Sequence, residues 1–305
     1  MLIDDLNVVL KVAEFKSIKQ AAESLDIQTA TASAAVKRVE KAFGMELFVR
    51  STRNLRLSSS GEKHLPQIEK ALLLLSQIAQ NAKEEQNIVE GELRLAVPSD
   101  LGRNIVLPWL DTFAEQHPNL SVRLHISDSH VDFYRAPVDV ALRYGSPKDS
   151  SMYGFKLCDV PRVLCAAPQY LASQPKPKTP ADLHKLNGLL YQLHDIVHNI
   201  WEFSHNGQIY KAKMQSNKSS NDAEVVRRWC VAGKGVAVKS ALDMSNDLIN
   251  GNVVSLLPGY APEPTELWLI CPSRQLITPA VRLLRDFIKH QCETLLTTLA
   301  AQGHI

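Results

Sequence analysis

Between residues 59 and 87 the chain carries Leu65, Ile68, Leu72, Leu75, Ala79 and Ala82 at strict 3,4,3,4,3 spacing. That period marks one face of an α-helix. A helix of nearly thirty residues is roughly 40 Å long, too long to turn back inside a small domain. It therefore divides the chain into a short unit before it and a long one after it. Ser59 and Glu62 form a capping box at its start, Pro66 interrupts it early, and the seam predicts pairing with a second such helix in preference to packing within the chain. With 305 residues the chain has room for two or three folding units. The expected division is 1–58, then a linker and dimerisation helix over 59–88, then 89–305.

The short unit reads as helical. Ile3, Leu6, Leu10 and Ala13 share one face of a first helix, and Ser17 with Gln20 makes a capping-box start for a second, packed through Ala21, Ala22 and Leu25. A third opens near Gln28 or Thr29, turns Ala32, Val36, Val39 and Phe43 inward and stops at Gly44. Two short helices joined by a tight turn, with Gln28, Thr29, Thr31, Ser33 and Lys37 on the outer face of the second, predict a helix-turn-helix over 18–37. After Gly44, Leu55 and Leu57 alternate with Arg56 as in a short strand, giving a wing with basic edges.

Charge singles out the same region. The whole chain carries a formal charge of only +2, yet Lys37, Arg38, Lys41, Arg50, Arg53 and Arg56 outnumber Glu40 and Glu46 by four between residues 28 and 58. A local cationic patch is the electrostatic footprint of a polyanion partner, although a solvated helix face has the same composition. Phosphates call for long cationic donors, and base edges for short polar or bidentate groups at the front of the helix. Lys37, Arg38, Arg50, Arg53 and Arg56 are accordingly assigned to phosphates of duplex DNA. Gln28, Thr29, Thr31 and Ser33 are assigned to base edges or nearby backbone, Gln28 having the geometry to pair with adenine; Ser33 reads equally well as ordinary helix surface.

From Gly91 the period changes to two: Leu93, Leu95 and Val97 alternate with Glu92, Arg94 and Ala96. A helix then reaches His117, and further strands are read at 122–126, 138–142, 163–166 and 189–191. Asn206-Gly207 marks a hairpin, Asn221-Asp222 caps a helix ended by Gly233, and Thr278-Pro279 opens the last helix. Strands alternating with helices predict an α/β unit, so the chain as a whole is α/β with an all-α head.

Composition excludes several classes. Hydrophobic residues make 45% and charged residues 22%, a globular balance. The acidic start at Asp4-Asp5 and the short apolar run 71–75 argue against a signal peptide or a membrane span, and predict a cytoplasmic protein. Five cysteines, Cys158, Cys165, Cys230, Cys271 and Cys292, lack zinc-site spacing and read as buried reduced thiols, with a redox-sensing pair as the alternative. There is no G-x-S-x-G and no H-E-x-x-H, and Gly233-Lys234-Gly235 lacks the rest of a phosphate loop. His194 and His198 would share a metal only on a helix. Neither catalysis nor a resident metal or cofactor is expected.

The order helix-turn-helix, wing, long helix and α/β unit, with Val36-Lys37-Arg38-Val39-Glu40, Gly44-Met45-Glu46-Leu47-Phe48, Arg50-Ser51-Thr52-Arg53, the run 138–145 and Asn221-Asp222-Ala223-Glu224, resembles the LysR-type transcriptional regulators. The resemblance covers essentially the whole chain and is nearest the branch with an Arg-Thr-Thr-Arg wing. It implies a two-lobed effector domain shaped like a periplasmic binding protein, with one lobe over 91–161 plus 266–300 and the other over 162–265. It implies dimers through the linker helix, commonly tetramers, and RNA polymerase as a further partner. Ala30 and Ala34 depart from the proline and the basic or large polar residue usual there, so base contacts do not carry over.

A cleft between such lobes gathers polar groups at strand ends. Ser99, Asp100 and Arg103 follow the first strand, Ser127 ends the second, Arg143 and Tyr144 end the third, and Asn221 caps a helix. With Lys239 they are the expected contacts of a small-molecule effector. Arg103, Arg143 and Lys239 favour an acidic one, whereas Asp100 opposes it. A constitutive DNA binder whose long unit serves only assembly is the other reading of the chain.

Overall fold

The structure is a computed structural model that describes residues 3–50, 55–84, 89–129, 133, 138–147, 152–193 and 196–305. It separates into two compact units, Met1–Gln86 and Asn87–Ile305.

The first unit packs three helices, α1 (Ile3–Phe15), α2 (Ile18–Ser24) and α3 (Thr29–Phe43), against a two-stranded wing of β1 (Phe48–Arg50) and β2 (Leu55–Leu57), followed by α4 (Ser59–Glu84). Ser17 caps α2 by accepting from the Gln20 amide at 3.3 Å, and Gly44 ends α3 in the left-handed region at φ 64°. The inward stripe of α1 differs from the expected one. Leu6, Val8, Val9 and Val12 are buried, whereas Ile3 is half exposed and Leu10 and Ala13 lie at the margin. The cause is Asp5, which is buried and paired with Arg38 of α3, turning the helix about its axis.

The start of α4 is also capped one residue earlier than expected. Ser58, not Ser59, accepts from the Gly61 amide at 2.9 Å and donates to the Glu46 carbonyl at 2.5 Å. Ser58 thus ties the helix to the segment before β1, and its own amide bonds the Leu47 carbonyl at 2.9 Å. Part of the α4 stripe is used inside the unit: Ile68 and Leu72 are buried and Leu65 half-buried against the helix-turn-helix core. The expected intermolecular seam therefore begins later. Leu74, Leu75 and Ile78 are exposed, and the side chains of Ala79 and Ala82 lie outside the described residues.

The second unit contains two lobes. In one, five strands run in the order Leu120–Ile126, Gly91–Val97, Val140–Tyr144, Thr265–Cys271 and Tyr153–Val160. The first three are mutually parallel and the last two pairings antiparallel. Leu93, Leu95, Val140 and Leu269 of this sheet pack with Phe113 and with Val281, Leu284 and Ile288 of the helix Pro279–Ala301. Thr278 caps that helix through the Val281 amide at 3.3 Å.

The other lobe centres on Asn187–Leu193, which is parallel to Gln215–Ser220 and to Val236–Ser240; Arg162–Ala166 continues the sheet antiparallel. A smaller sheet holds the hairpin Ile200–His205 and Gln208–Lys213. Its turn has Asn206 and Gly207 both at positive φ, 48° and 75°, as a two-residue hairpin turn of matching twist requires. The chain crosses between lobes at 160–162 and 262–265, and Leu299 of the last helix is buried in the second lobe's core.

The thiols are unpaired: Cys165, Cys230, Cys271 and Cys292 are buried and Cys158 half-buried. Sγ of Cys165 lies 3.9 Å from that of Cys230, and burial pushes the Cys271 thiol up to about 12. No helix among the described residues is long and apolar enough to cross a membrane.

Gly61 gives the wing-to-helix junction a direct test. A Cβ there would meet the Leu47 carbonyl oxygen at 2.1 Å, which is backbone and has no rotamer to escape into. Gly61→Ala is expected to destabilise the first unit by about 1–3 kcal/mol, measured as a lower denaturant midpoint of its transition.

Candidate nucleic-acid interface and interlobe site

At the front of α3, Gln28, Thr29 and Thr31 are exposed, as is Lys37 one and a half turns on. None of these four side chains makes a hydrogen bond or ion pair among the described residues. Ser33 is half-buried and already engaged. Arg38 corrects the assignment to phosphate. Its Nε and Nη2 bind the two oxygens of Asp5 at 3.0 and 2.5 Å, and this bidentate pair fixes α3 to α1. Glu40, entered above only as negative charge, accepts from the Leu47 and Phe48 amides at 2.8 and 3.2 Å and so anchors the wing. Arg56 is exposed on β2. Arg50 is the last residue of β1, its side chain outside the described set, and Arg53 lies outside the described residues altogether.

Between the lobes of the second unit is a cavity of about 600 Å³. Of the residues expected there, Asp100, Ser127, Arg143, Tyr144 and Lys239 line it. Ser99, Arg103 and Asn221 do not. Ser99 is a strut: its amide and hydroxyl donate to Asp128 at 2.7 and 2.6 Å, and its hydroxyl accepts from the Glu224 amide at 3.2 Å across the seam. Arg103 is directed to the Ser99 carbonyl at 3.3 Å and to Asp222 at 3.7 Å. Asn221 is exposed, and the cap of helix Ala223–Val231 is Asp222, which accepts from the Val225 amide at 3.1 Å.

The cavity wall is divided. Leu142, Leu189, Tyr191, Leu193, Trp201 and Val238 supply apolar surface. Lys239 is spent internally, on Asp100 and on the Ala223 carbonyl at 3.0 Å. Tyr144 donates to Asp243 at 2.6 Å and accepts from the Ser240 hydroxyl at 2.8 Å, and burial raises its hydroxyl far above the phenol range. Arg143 is half-buried, and loss of water pulls its guanidinium down from its ordinary value. Arg162 was not singled out in the sequence; its side chain lines the cavity with no partner among the described residues.

Asp128, Tyr191 and Asp243 were also missed. Asp128 follows Ser127 at the same strand end, so the rule that selected Ser127 would have found it. Arg162 and Asp243 acquire meaning only once the lobes are folded together. His198 is on the exposed rim and His194 is outside the described residues; no cluster of three metal-ligating side chains occurs among the described residues.

Asp128 holds both sides of the seam, because its Oδ2 also accepts from the Ala223 amide at 2.6 Å. Asp128→Ala would orphan the Ser99 and Ala223 amides. It is expected to lower the stability of the second unit by about 1–3 kcal/mol, read by urea unfolding, while the first unit's transition stays in place.

Comparison with known proteins bears on both sites. Residues 3–62 match the family described as bacterial regulatory helix-turn-helix protein, lysR family, and residues 86–293 match the LysR substrate binding domain. The HTH-type transcriptional regulator DmlR of Escherichia coli (strain K12) is 28% identical over 288 residues, 94% of each chain. The HTH-type transcriptional regulator CrgA of Neisseria meningitidis serogroup C is 26% identical, over 93% of this chain and 95% of that one. Among solved structures, the full-length Vibrio cholerae virulence activator AphB superposes with TM-score 0.57 at 25% identity, covering 95% of this chain and 99% of its own. CrgA from Neisseria meningitidis superposes with TM-score 0.60 at 24% identity over 96% and 98%.

Proposed function

The chain belongs to the LysR family of transcriptional regulators, and from that premise we propose that it binds an interrupted palindromic operator through paired winged helix-turn-helices and answers to an organic-acid effector. That it is a DNA-binding regulator with an effector domain, and not an enzyme, follows from the family and from the relatives it matches.

The observation that carries the DNA reading is the uncommitted front of α3. Exposed Gln28, Thr29 and Thr31 suit base edges or adjacent backbone, and Lys37 and Arg56 have no acid to satisfy. Assembly through the outer half of α4 is supported by exposed Leu74, Leu75 and Ile78. Two such heads held at a fixed separation would set the half-site spacing. We assign the chain a homotetramer of two such dimers, which sedimentation of the full chain would test. A recovered operator gives the sharper measurement. Lys37→Ala and Arg56→Ala are each expected to weaken binding to all sequences and to flatten the salt dependence by about one unit of slope. Arg38→Ala is expected to lower the thermal midpoint of the first unit instead, and an unchanged midpoint would remove its structural role.

The effector reading rests on Arg162, whose guanidinium has no partner among the described residues. Lys239 is neutralised within the fold, so a carboxylate would go to Arg162, beside the half-buried Arg143, with an apolar body against Leu142, Leu189, Tyr191 and Trp201. A desolvated guanidinium gains from an anion, and such a pair gains again from bidentate geometry. The expected result is a rise in thermal midpoint with carboxylates from an organic-acid panel, absent with their amides. Arg162→Gln should reduce that affinity by about ten- to a hundredfold. Equal binding of acid and amide would overturn the ligand class; no binding by any compound, with operator affinity also unresponsive, would overturn the effector reading itself.

A further inference from the structure

The seam between the lobes contains more buried acid than base. Asp100 is 1% exposed, Asp243 5%, Glu224 4% and Asp247 4%, while the cations at the same depth are Lys239 at 7% and Arg227, whose side chain is 15% exposed. The pairs can be traced one by one. Asp247 takes Arg227 Nη2 at 2.6 Å and Asn252 at 3.0 Å. Glu224 takes Arg228 Nε at 2.8 Å and Asn104 at 2.6 Å, with Arg227 at 3.5 Å, and these hold its carboxyl below the usual range against the penalty of burial. Asp128 is saturated by the Ser99 and Ala223 groups.

What remains is two carboxylates and one ammonium. Asp100 comes from the lobe of the five-stranded sheet, with Lys239 and Asp243 from the other. Asp243 receives the Tyr144 hydroxyl, which is neutral and brings no charge; Asp100 receives Asn104 at 3.0 Å. Other charged or titratable groups facing the set are Arg227, 3.9 Å from Asp100 and already spent on Asp247, together with Glu224, Asp128 and the Cys165 thiol. Arg143, Arg162 and His198 line the same cavity, and Arg162 forms no ion pair with either carboxylate. An unbalanced charge at this depth is costly, and the group that carries it takes up a proton instead.

We propose that Asp100, Lys239 and Asp243 share one extra proton at neutral pH, which makes the lobe seam a proton-linked clasp that loosens as pH rises. The triad is then neutral: Asp100 pairs with Lys239, Asp243 carries the proton, and loss of that proton leaves a net negative charge between the lobes. Burial pushes Asp100 well above its ordinary value and raises Asp243 as well, and each carboxylate in turn raises Lys239 against its own burial. The sign follows from that direction. A carboxyl raised in the folded state contributes stability that is complete below its unfolded value and is lost as pH rises through its folded value. The clasp stands whatever ligand the cavity takes.

The test is urea unfolding of the full chain at several pH values between about 5.5 and 8, above the ordinary carboxylate range and below that of thiols; histidines also titrate there, so the clasp is read from the difference in slope between wild type and variant. The second unit's unfolding constant is expected to grow with pH, by up to about tenfold per pH unit while the folded state still holds the proton that the unfolded state has released, and to level off once the folded state loses it. Asp243→Asn and Asp100→Asn should each remove that growth. A pH-independent wild type, or a slope that survives in both variants, overturns the proposal. Should the variants fail to fold, infrared spectra of the wild type decide. A protonated-carboxyl band at neutral pH that fades on alkalinisation supports the clasp, and its absence overturns it.

Discussion

Two lobes that meet on a polar surface can stay together only if every donor and acceptor left at the seam finds a partner. Asp128 meets that constraint for much of the second unit. It sits at the end of one strand, takes the amide and hydroxyl of Ser99 in its own lobe, and takes the first amide of helix Ala223–Val231 from the other. A helix N-terminus has unsatisfied amides and partial positive charge, so a carboxylate is the natural group to meet it. Ser99 hands the network on to the Glu224 amide, and Glu224 to Asn104 and Arg228. The cavity behind this seam exists because the lobes are pinned at one edge by hydrogen bonds and at the other by the two crossing strands.

The same economy operates in the DNA-binding head, where ion pairs and caps set the geometry that apolar contacts then fill. Asp5 and Arg38 cross-brace α1 and α3, Glu40 receives the two amides that begin the wing, and Ser58 ties the wing to α4. Small alanines, Ala21, Ala22, Ala32 and Ala35, let the helices approach closely. With these anchors inside, the outer face of α3 is left polar and uncommitted. Asp5 is buried but Arg38 is half exposed, and a pair screened by water on one side positions groups more than it stabilises.

Much of this architecture is written in local sequence. The stop at Gly44, the Asn206-Gly207 hairpin and the Thr278 cap are all set by residues within a turn or two, and the structure has them where spacing puts them, whereas Phe43, expected inward on α3, is exposed. What local reading misses is what a partner far along the chain decides. The face of α1 shifted because Asp5 is held by a residue 33 positions on. The spacing of the α4 stripe predicts one seam, yet Ile68 and Leu72 are absorbed by the head and Leu75 is left outside. Their place after a strand predicts Ser99 and Arg103 as ligand contacts, whereas in the fold they are struts of the seam.

A cation's role, above all, is a matter of whether a carboxylate reaches it once the chain has folded. Arg38 and Lys37 are neighbours in sequence and alike in composition, and one braces the fold while the other faces solvent. Lys239 looked like an anion site for a ligand, but Asp100, which precedes it by more than a hundred residues, fills that place. Arg162 looked like nothing in particular, and it is the guanidinium that the fold leaves unspent in the cavity. The two sites are thereby built on one principle: charge committed inside the protein fixes shape, and charge left over stays open to a partner. Asp243 is the exception on the acidic side. It is left over and buried at once, and the smallest species that can balance it there is a proton.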